Sequence, residues 1–228
     1  MANEKKRKPE MRKRRVLIVD DHPIVRLGLT QLINQEQDLV VCGEAEDVDQ
    51  ALRALADLEP DIAIVDISLK NSSGIELIRA IKTRHEGLPV LALSMHDESL
   101  YAERVLRCGA RGYVMKQEVT ESVVEALRKI LGGSVYVSER MSAKILEKLV
   151  HGGRVPSDSP TERLGNRELE VFQLIGHGFG TSQIAEKLHM SVKTVEAHRE
   201  HIKKKLNLKN ASELLRFAIE WEKNAHQG

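Results

Sequence analysis

Aromatic residues make up only 3% of the 228 positions. So few rings exclude the row of stacking platforms that holds single-stranded nucleic acid. Cysteine is as scarce: Cys42 and Cys108 stand far apart and outside any CxxC or Cys/His spacing. Neither a disulfide framework nor a structural zinc site is expected, and both read as small buried residues in a reducing cytosol. Long apolar runs are missing as well. None approaches the roughly 18 residues that span a bilayer, and the basic N-terminus leads into no apolar signal core. The expectation is a cytoplasmic protein with no membrane partner.

What is present is unevenly spread. Residues 1–15 carry eight basic and two acidic side chains, residues 16–133 twelve and twenty, and residues 164–228 ten and eight. An acidic body between basic ends implies that nucleic acid meets only part of the chain. Residues 1–14 are charged with almost no apolar content, so they read as a disordered tail. That tail either adds salt-sensitive affinity for DNA or serves solubility alone.

From Arg15 short apolar runs alternate with segments of helical period: RVLIVD, LVVCGEA, DIAIVD, PVLALS and GYVMK are the strands. Near-continuous apolar strands are buried on both faces, which predicts a doubly wound, five-stranded parallel sheet over residues 15–133. A helix over 118–131 ends at Gly132-Gly133, and SERMSAKILEKLVHGG predicts one more amphipathic helix. RVPSDSPTER then reads as an exposed connection, so residues 134–163 form a linker helix and a flexible linker. Over residues 164–226, four helical segments broken at GHGFG, LHMS and NLKN predict a small all-α, four-helix domain of helix-turn-helix order.

The polar residues of the sheet fall at strand ends: Asp20 and Asp21 after the first, Asp66 on the third, Ser94 on the fourth and Lys116 on the fifth. In parallel α/β sheets the functional crevice lies beyond those carboxyl ends. Converging carboxylates resist ionisation unless a cation is present. Mg²⁺ suits them, with Asp20, Asp21 and Asp66 as ligands and the backbone carbonyl of Ser68 completing a partial shell. Asp66, alone on the central strand, is the natural nucleophile toward a phosphoryl group. Lys116 can contact the product phosphate, and the Ser94 hydroxyl can donate to one of its oxygens. Taken singly, a strand-end Asp is as well explained as a helix cap; the conjunction favours chemistry.

In the C-terminal segment Ile184, Ala185 and Leu188 form the inward face of a short helix, and Val192, Val195, His198, Ile202 and Leu206 that of the next. Ser191 is its expected N-cap. The outward face carries Lys193, Thr194, Glu196, Ala197, Arg199, Glu200, Lys203 and Lys204, a mixture of phosphate binders and groups able to read base edges. Glu196 and Glu200 repel phosphate; they either accept from cytosine amino groups or face solvent. His198 and His201 lie three apart, but with no Cys or carboxylate partner evident His198 reads as a packed residue rather than a metal ligand.

VDDHPIVRLGL, VDISLKNSSGIELI, LALS and GARGYVMK, in that order, resemble the receiver domains of two-component response regulators. KTVEAHREHIKKKL resembles the recognition helix of LuxR-type helix-turn-helix modules, and the two together resemble the NarL/FixJ family over nearly the whole chain. That resemblance implies that Asp66 is the phosphoacceptor, that Asp20 and Asp21 hold Mg²⁺, and that Lys116 contacts phosphate. It makes Ser94 the switch hydroxyl and Tyr113 the switch aromatic, a residue otherwise read as plain packing. It also implies a sensor histidine kinase, double-stranded promoter DNA and a homodimer when phosphorylated as partners. The receiver would assist its own phosphorylation and dephosphorylation without turning over external substrates. Three positions depart from the pattern. Lys70 replaces a common proline after the phosphoacceptor, which bears on loop stiffness or partner choice. Gly165 and Gly180 replace capping Thr or Ser, which predicts slightly frayed helix starts.

Two other readings remain. A phosphatase or nucleotide-binding enzyme would be expected to carry a glycine-rich phosphate loop after the first strand, where DDHPIVRLG stands. An interaction protein regulated by binding rather than by phosphate would keep the same DNA contact.

Overall fold

A computed structural model describes residues 12–69, 73–150 and 160–225. The basic tail through residue 11, Lys70 and linker residues 151–159 lie outside the described residues. The chain divides into two units, residues 1–146 and 147–228.

The first unit is built from β1 (Arg14–Val19), α1 (Pro23–Asn34), β2 (Leu39–Ala45), α2 (Val48–Leu58), β3 (Ile62–Asp66), α3 (Gly74–Arg84), β4 (Val90–Ser94), α4 (Glu98–Cys108), β5 (Gly112–Met115) and α5 (Val119–Leu131). The strands pair in parallel in the order β2-β1-β3-β4-β5. Every residue of β3 and β4 is buried, as expected for central strands covered by helices on both faces. Val16, Ile18, Ile62, Ile64, Leu91 and Leu93 pack with Val123, Leu127 and Ile130 of α5 and with Leu29 and Ile33 of α1 in one core.

Local chemistry sets the helix ends. Asp47 caps α2 by accepting from the Gln50 N–H at 2.7 Å, and Asp97 caps α4 by accepting from Ser99 N–H at 2.8 Å. Gly109 ends α4 with φ +119°, a conformation glycine adopts without strain. α6 follows at Glu139–Val150 and straddles the boundary between the units.

In the second unit α7 (Asn166–Gly176), α8 (Thr181–Lys187), α9 (Val192–Leu206) and α10 (Ala211–Ala225) form the all-α domain. Much of the chain's small aromatic stock is spent here. Phe172 on α7 meets Phe217 and Trp221 of α10 at ring distances of 5.9 and 5.5 Å, arrangements favoured by the ring quadrupole.

Glycine at the starts of α7 and α8 has a compensation that helix-capping preferences alone do not reveal. The Gly165 N–H donates to Glu168 Oε2 at 2.7 Å and the Gly180 N–H to Gln183 Oε1 at 2.9 Å. Half of each capping box therefore survives without a side chain at the cap, which opposes the fraying expected at both starts.

Candidate functional site

β1 and β3 are adjacent, so the end of the sheet places Asp20 beside Asp66. Asp20 is fully buried and Asp66 nearly so. Lys116, in a 3-10 turn just past β5, reaches back across β4. Its Nζ lies 2.6 Å from Asp20 Oδ2 and 2.7 Å from Asp66 Oδ2. Burial pushes the Lys116 pKa down, but Asp66 and Asp20 outweigh it and the net shift is upward, so the ammonium stays charged.

Asp21 completes the acidic group, with a side chain 12% exposed. One ligand-capable atom from each of Asp20, Asp21, His22 and Asp66 lies within 4.8 Å of the others. Asp20 Oδ2 and Asp21 Oδ1 are buried and accept no well-aligned hydrogen bond, though Asp20 Oδ2 touches the Lys116 ammonium. Hard oxygen donors with orphaned lone pairs fit a hard dication such as Mg²⁺. Ser68 meets Asp66 through its backbone N–H, 3.0 Å from Asp66 Oδ1.

Gly74 sets how close α3 comes to this loop. A Cβ on it would sit 1.8 Å from the carbonyl oxygen of Asp66, so only glycine permits the approach. Ser94, buried at the end of β4, accepts at its Oγ from the His96 N–H at 2.9 Å. Tyr113 is buried, and its hydroxyl donates to the His96 carbonyl at 2.9 Å. Burial pushes that phenol well above its ordinary pKa, while a hydrogen bond with Ser94 pulls the other way.

The structure thus brings Asp20, Asp21, Asp66, Ser68 and Lys116 together, and ties Ser94 to Tyr113 through His96. Two further residues belong to this neighbourhood, His22 and His96, to which the sequence motifs assign no role. The His22 N–H donates to Asp20 Oδ1 at 2.8 Å, and its Nδ1 lies 2.9 Å from Asp21 Oδ1. The His96 ring stacks on Tyr101 at 4.6 Å and its Nε2 lies 3.2 Å from Ser68 Oγ. Only the HP pair opening α1 and the residue after SM hint at either.

On the second unit α9 presents Lys193, Thr194, Glu196, Ala197, Glu200 and Lys204 to solvent, with Arg199 and Lys203 half-buried. Lys203 Nζ pairs with Glu200 Oε1 at 2.8 Å, so Glu200 offsets one cation of the face. Ser191 caps the helix as expected, accepting from the Thr194 N–H at 3.0 Å. Val195 and Ile202 are buried, but Val192 is 44% exposed. Its inward assignment is corrected: as the first helical residue it stands beyond the reach of the neighbouring helix. Lys205 turns to the scaffold instead, 2.6 Å from Glu168 Oε2 on α7.

The model for response regulator receiver domains matches residues 16–128, and that for bacterial regulatory proteins of the luxR family matches residues 162–218. The oxygen regulatory protein NreC of Staphylococcus haemolyticus is 36% identical over 209 residues, spanning 90% of this chain and 96% of that one. The chain belongs to the NarL/FixJ family of response regulators. Among solved structures, the response regulator RcsB of Salmonella typhimurium is 30% identical, with TM-score 0.61 over 92% of this chain and 98% of RcsB. RcsB bound to promoter DNA in the presence of the phosphomimetic BeF3 is 31% identical, with TM-score 0.58 over 90% and 98%. A LuxR-family response regulator from Aurantimonas sp. SI85-9A1 is 35% identical, with TM-score 0.56 over 60% of this chain and 99% of that one. As a response regulator the chain pairs a receiver with a LuxR-type DNA-binding domain. Among the described residues no helix is long and apolar enough to cross a membrane.

Proposed function

We propose that this response regulator is switched by phosphorylation of Asp66 and, once switched, binds promoter DNA through α9. The observation that carries the reading is the Lys116 ammonium bridging Asp20 and Asp66 in a buried acidic pocket at the carboxyl end of the sheet. Asp66 is the nucleophile. Its carboxylate attacks the phosphorus of a phosphohistidine on a sensor kinase, an acyl phosphate forms, and the P–N electron pair returns to the imidazole. Asp20, Asp21, Asp66 and the Ser68 carbonyl would hold Mg²⁺, which offsets charge on the transferring oxygens when bound. Lys116 contacts the new phosphate, and Ser94 and Tyr113 report it. The receiver spans residues 15–133, residues 134–163 connect, and residues 164–226 bind DNA. The protein assists its own phosphorylation and dephosphorylation but turns over no external substrate, and it works in the cytoplasm.

Phosphate adds charge and acceptors at one site, so it shifts the protein only if two packed states bind it differently. The phosphorylated state forms a homodimer, which sets two copies of α9 on half-sites about 34 Å apart. Lys193, Arg199, Lys203 and Lys204 contact phosphates, while Thr194, Glu196, Ala197 and Glu200 face base edges.

The test combines mass spectrometry and footprinting. Acetyl phosphate with Mg²⁺ adds one phosphoryl group to the parent and none to Asp66→Asn, and promoter protection rises only in the parent. An equal DNA response in Asp66→Asn would refute phosphoacceptor control and favour regulation by binding alone.

A further inference from the structure

The stretch between α5 and α6 returns to the sheet before it leaves the receiver. The Tyr136 N–H donates to the Arg111 carbonyl at 2.9 Å and the Tyr113 N–H donates to the Tyr136 carbonyl at 2.9 Å, a single parallel rung opposite Gly112. Gly112 is what permits it. A Cβ there would lie 2.9 Å from the Tyr136 carbonyl oxygen and 3.1 Å from Tyr136 Cβ. The Lys129 ammonium sits 5.3 Å from the centre of the Tyr136 ring.

Two residues later the chain is clamped again. The Ser138 N–H donates to Glu98 Oε1 at 2.8 Å, and Ser138 Oγ accepts from the Met141 N–H at 3.1 Å, so Ser138 caps α6. Glu98 is the first residue of α4. Beyond it the grip is slight: Met141 is buried, but Leu146 is 61% exposed. A cavity of about 780 Å³ opens among Leu88, Leu106, Val135, Val137 and Ile145.

These contacts meet the residues around the phosphorylation pocket. Tyr113 supplies the backbone rung to Tyr136 and, through its hydroxyl, holds the His96 carbonyl; His96 in turn holds Ser94. Glu98 lies two residues past His96. We propose that residues 134–141 form a joint that phosphorylation of Asp66 opens, releasing the start of α6 from β5 and α4. The inference rests on Asp66 being the phosphoacceptor. A phosphoryl group on Asp66 draws the Ser94 hydroxyl, which moves His96 and the start of α4. The 2.8 Å Glu98 to Ser138 bond is near its best length before that movement, so displacement in either direction weakens it. α6 is the helix through which the chain continues to the LuxR-type unit, so its release is the route from pocket to DNA.

Amide-resolved hydrogen exchange on the full chain tests this, with acetyl phosphate and Mg²⁺ as the phosphodonor. Exchange should rise about tenfold on phosphorylation at Ser138, whose N–H loses the Glu98 carboxylate, and about fivefold at Tyr136, whose N–H loses the neutral Arg111 carbonyl. Glu98→Ala should raise Ser138 exchange without any phosphodonor and raise promoter affinity toward that of the phosphorylated parent. Glu98→Gln, whose amide oxygen still accepts, should behave as the parent. A phosphoryl mass gain with unchanged exchange at both amides would overturn the joint. So would a Glu98→Ala chain that exchanges faster yet binds DNA as the parent does. Failure of the phosphoacceptor reading looks different, with no mass gain in the parent or an equal gain in Asp66→Asn, and it removes the joint with it.

Discussion

Replacing Lys116 by Met keeps the aliphatic stem and deletes the ammonium 2.6 Å from Asp20 and 2.7 Å from Asp66. The Lys116 side chain is 5% exposed and both carboxylates 1%, so water replaces only part of the lost charge. Deleting one partner of a buried ion pair costs about 3–5 kcal/mol. Water reaching the pocket past Asp21 relieves part of this, which sets the expectation near 3 kcal/mol, or about 10 °C in the receiver transition. The raised Lys116 pKa gives the pH dependence its sign. Stabilisation is fully present below the ordinary 10.5 and is lost only as pH rises through the higher folded value. The deficit should therefore stay constant between about pH 6 and 9. Mg²⁺ supplies a second signature. A pocket with one more uncompensated negative charge should bind it about tenfold more tightly, so saturating Mg²⁺ should recover about 1.4 kcal/mol more in the variant than in the parent. Calorimetry in EDTA and in Mg²⁺ measures both effects, with Trp221 fluorescence marking the transition of the other unit. A variant within about 2 °C of the parent in EDTA would refute the ammonium as the pocket's counter-charge.

Three further outcomes follow from single contacts. Gly74→Ala must push α3 off the Asp66 carbonyl, costing about 3 kcal/mol and slowing phosphoryl uptake in timed mass spectra; Gly28→Ala, whose Cβ would meet nothing within 4 Å, should gain about 0.5–1 kcal/mol instead. Glu168→Gln keeps the cap on Gly165 but loses the charge facing Lys205, costing about 1–2 kcal/mol by urea titration of Trp221 fluorescence. Burial raises the Glu168 pKa, but Lys205 and the Gly165 N–H outweigh it and the net shift is down, so the parent's advantage holds above the ordinary 4.5 and fades as pH falls through the lower folded value. Burial holds the His198 pKa below 6.5, with Glu168 opposing and His201, Arg167 and Lys205 reinforcing. Its unfolded form protonates first, so stability is full above 6.5 and declines as pH falls toward the folded value; His198→Gln should flatten that slope in thermal scans.

The strands announced themselves because buried parallel strands are nearly continuous apolar runs, and a polar residue closing such a run stands out. Asp66, Ser94 and Lys116 were legible for that reason, even though Lys116 lies in a turn just past β5 rather than on it. Contacts that depend on which loops meet were not legible. No motif marks His96, yet its backbone serves Ser94 on one side and Tyr113 on the other. Glu168 and Lys205 are 37 positions apart and join only when α9 crosses α7. Val192 shows the limit of periodicity: its spacing matches the buried face, but a helix's first residue can project past the helix it packs against. Tyr136 was hidden because a one-rung strand is too short to leave an alternating pattern.

Charge and proton counts at the pocket give the proposed switch its reason, in which phosphate rather than metal alone changes its state. Asp20, Asp21 and Asp66 oppose one ammonium, an excess of negative charge that one dication balances. Phosphorylation of Asp66 adds a further negative charge and new acceptor oxygens in the same space. Two donors stand near to receive them, and neither is idle. The Lys116 ammonium is shared between Asp20 and Asp66. The Ser94 oxygen already accepts from the His96 N–H, and the Tyr113 hydroxyl donates to the His96 carbonyl, so the two hydroxyls hold opposite sides of one residue. A hydroxyl has one proton. When it turns to the phosphate, the Ser94 oxygen draws away from the His96 N–H, and weakening that hydrogen bond costs about 1 kcal/mol. That is enough to bias two packings of the β4 to α4 loop, so Ser94→Ala should leave phosphorylation intact while removing its effect on everything beyond Tyr113.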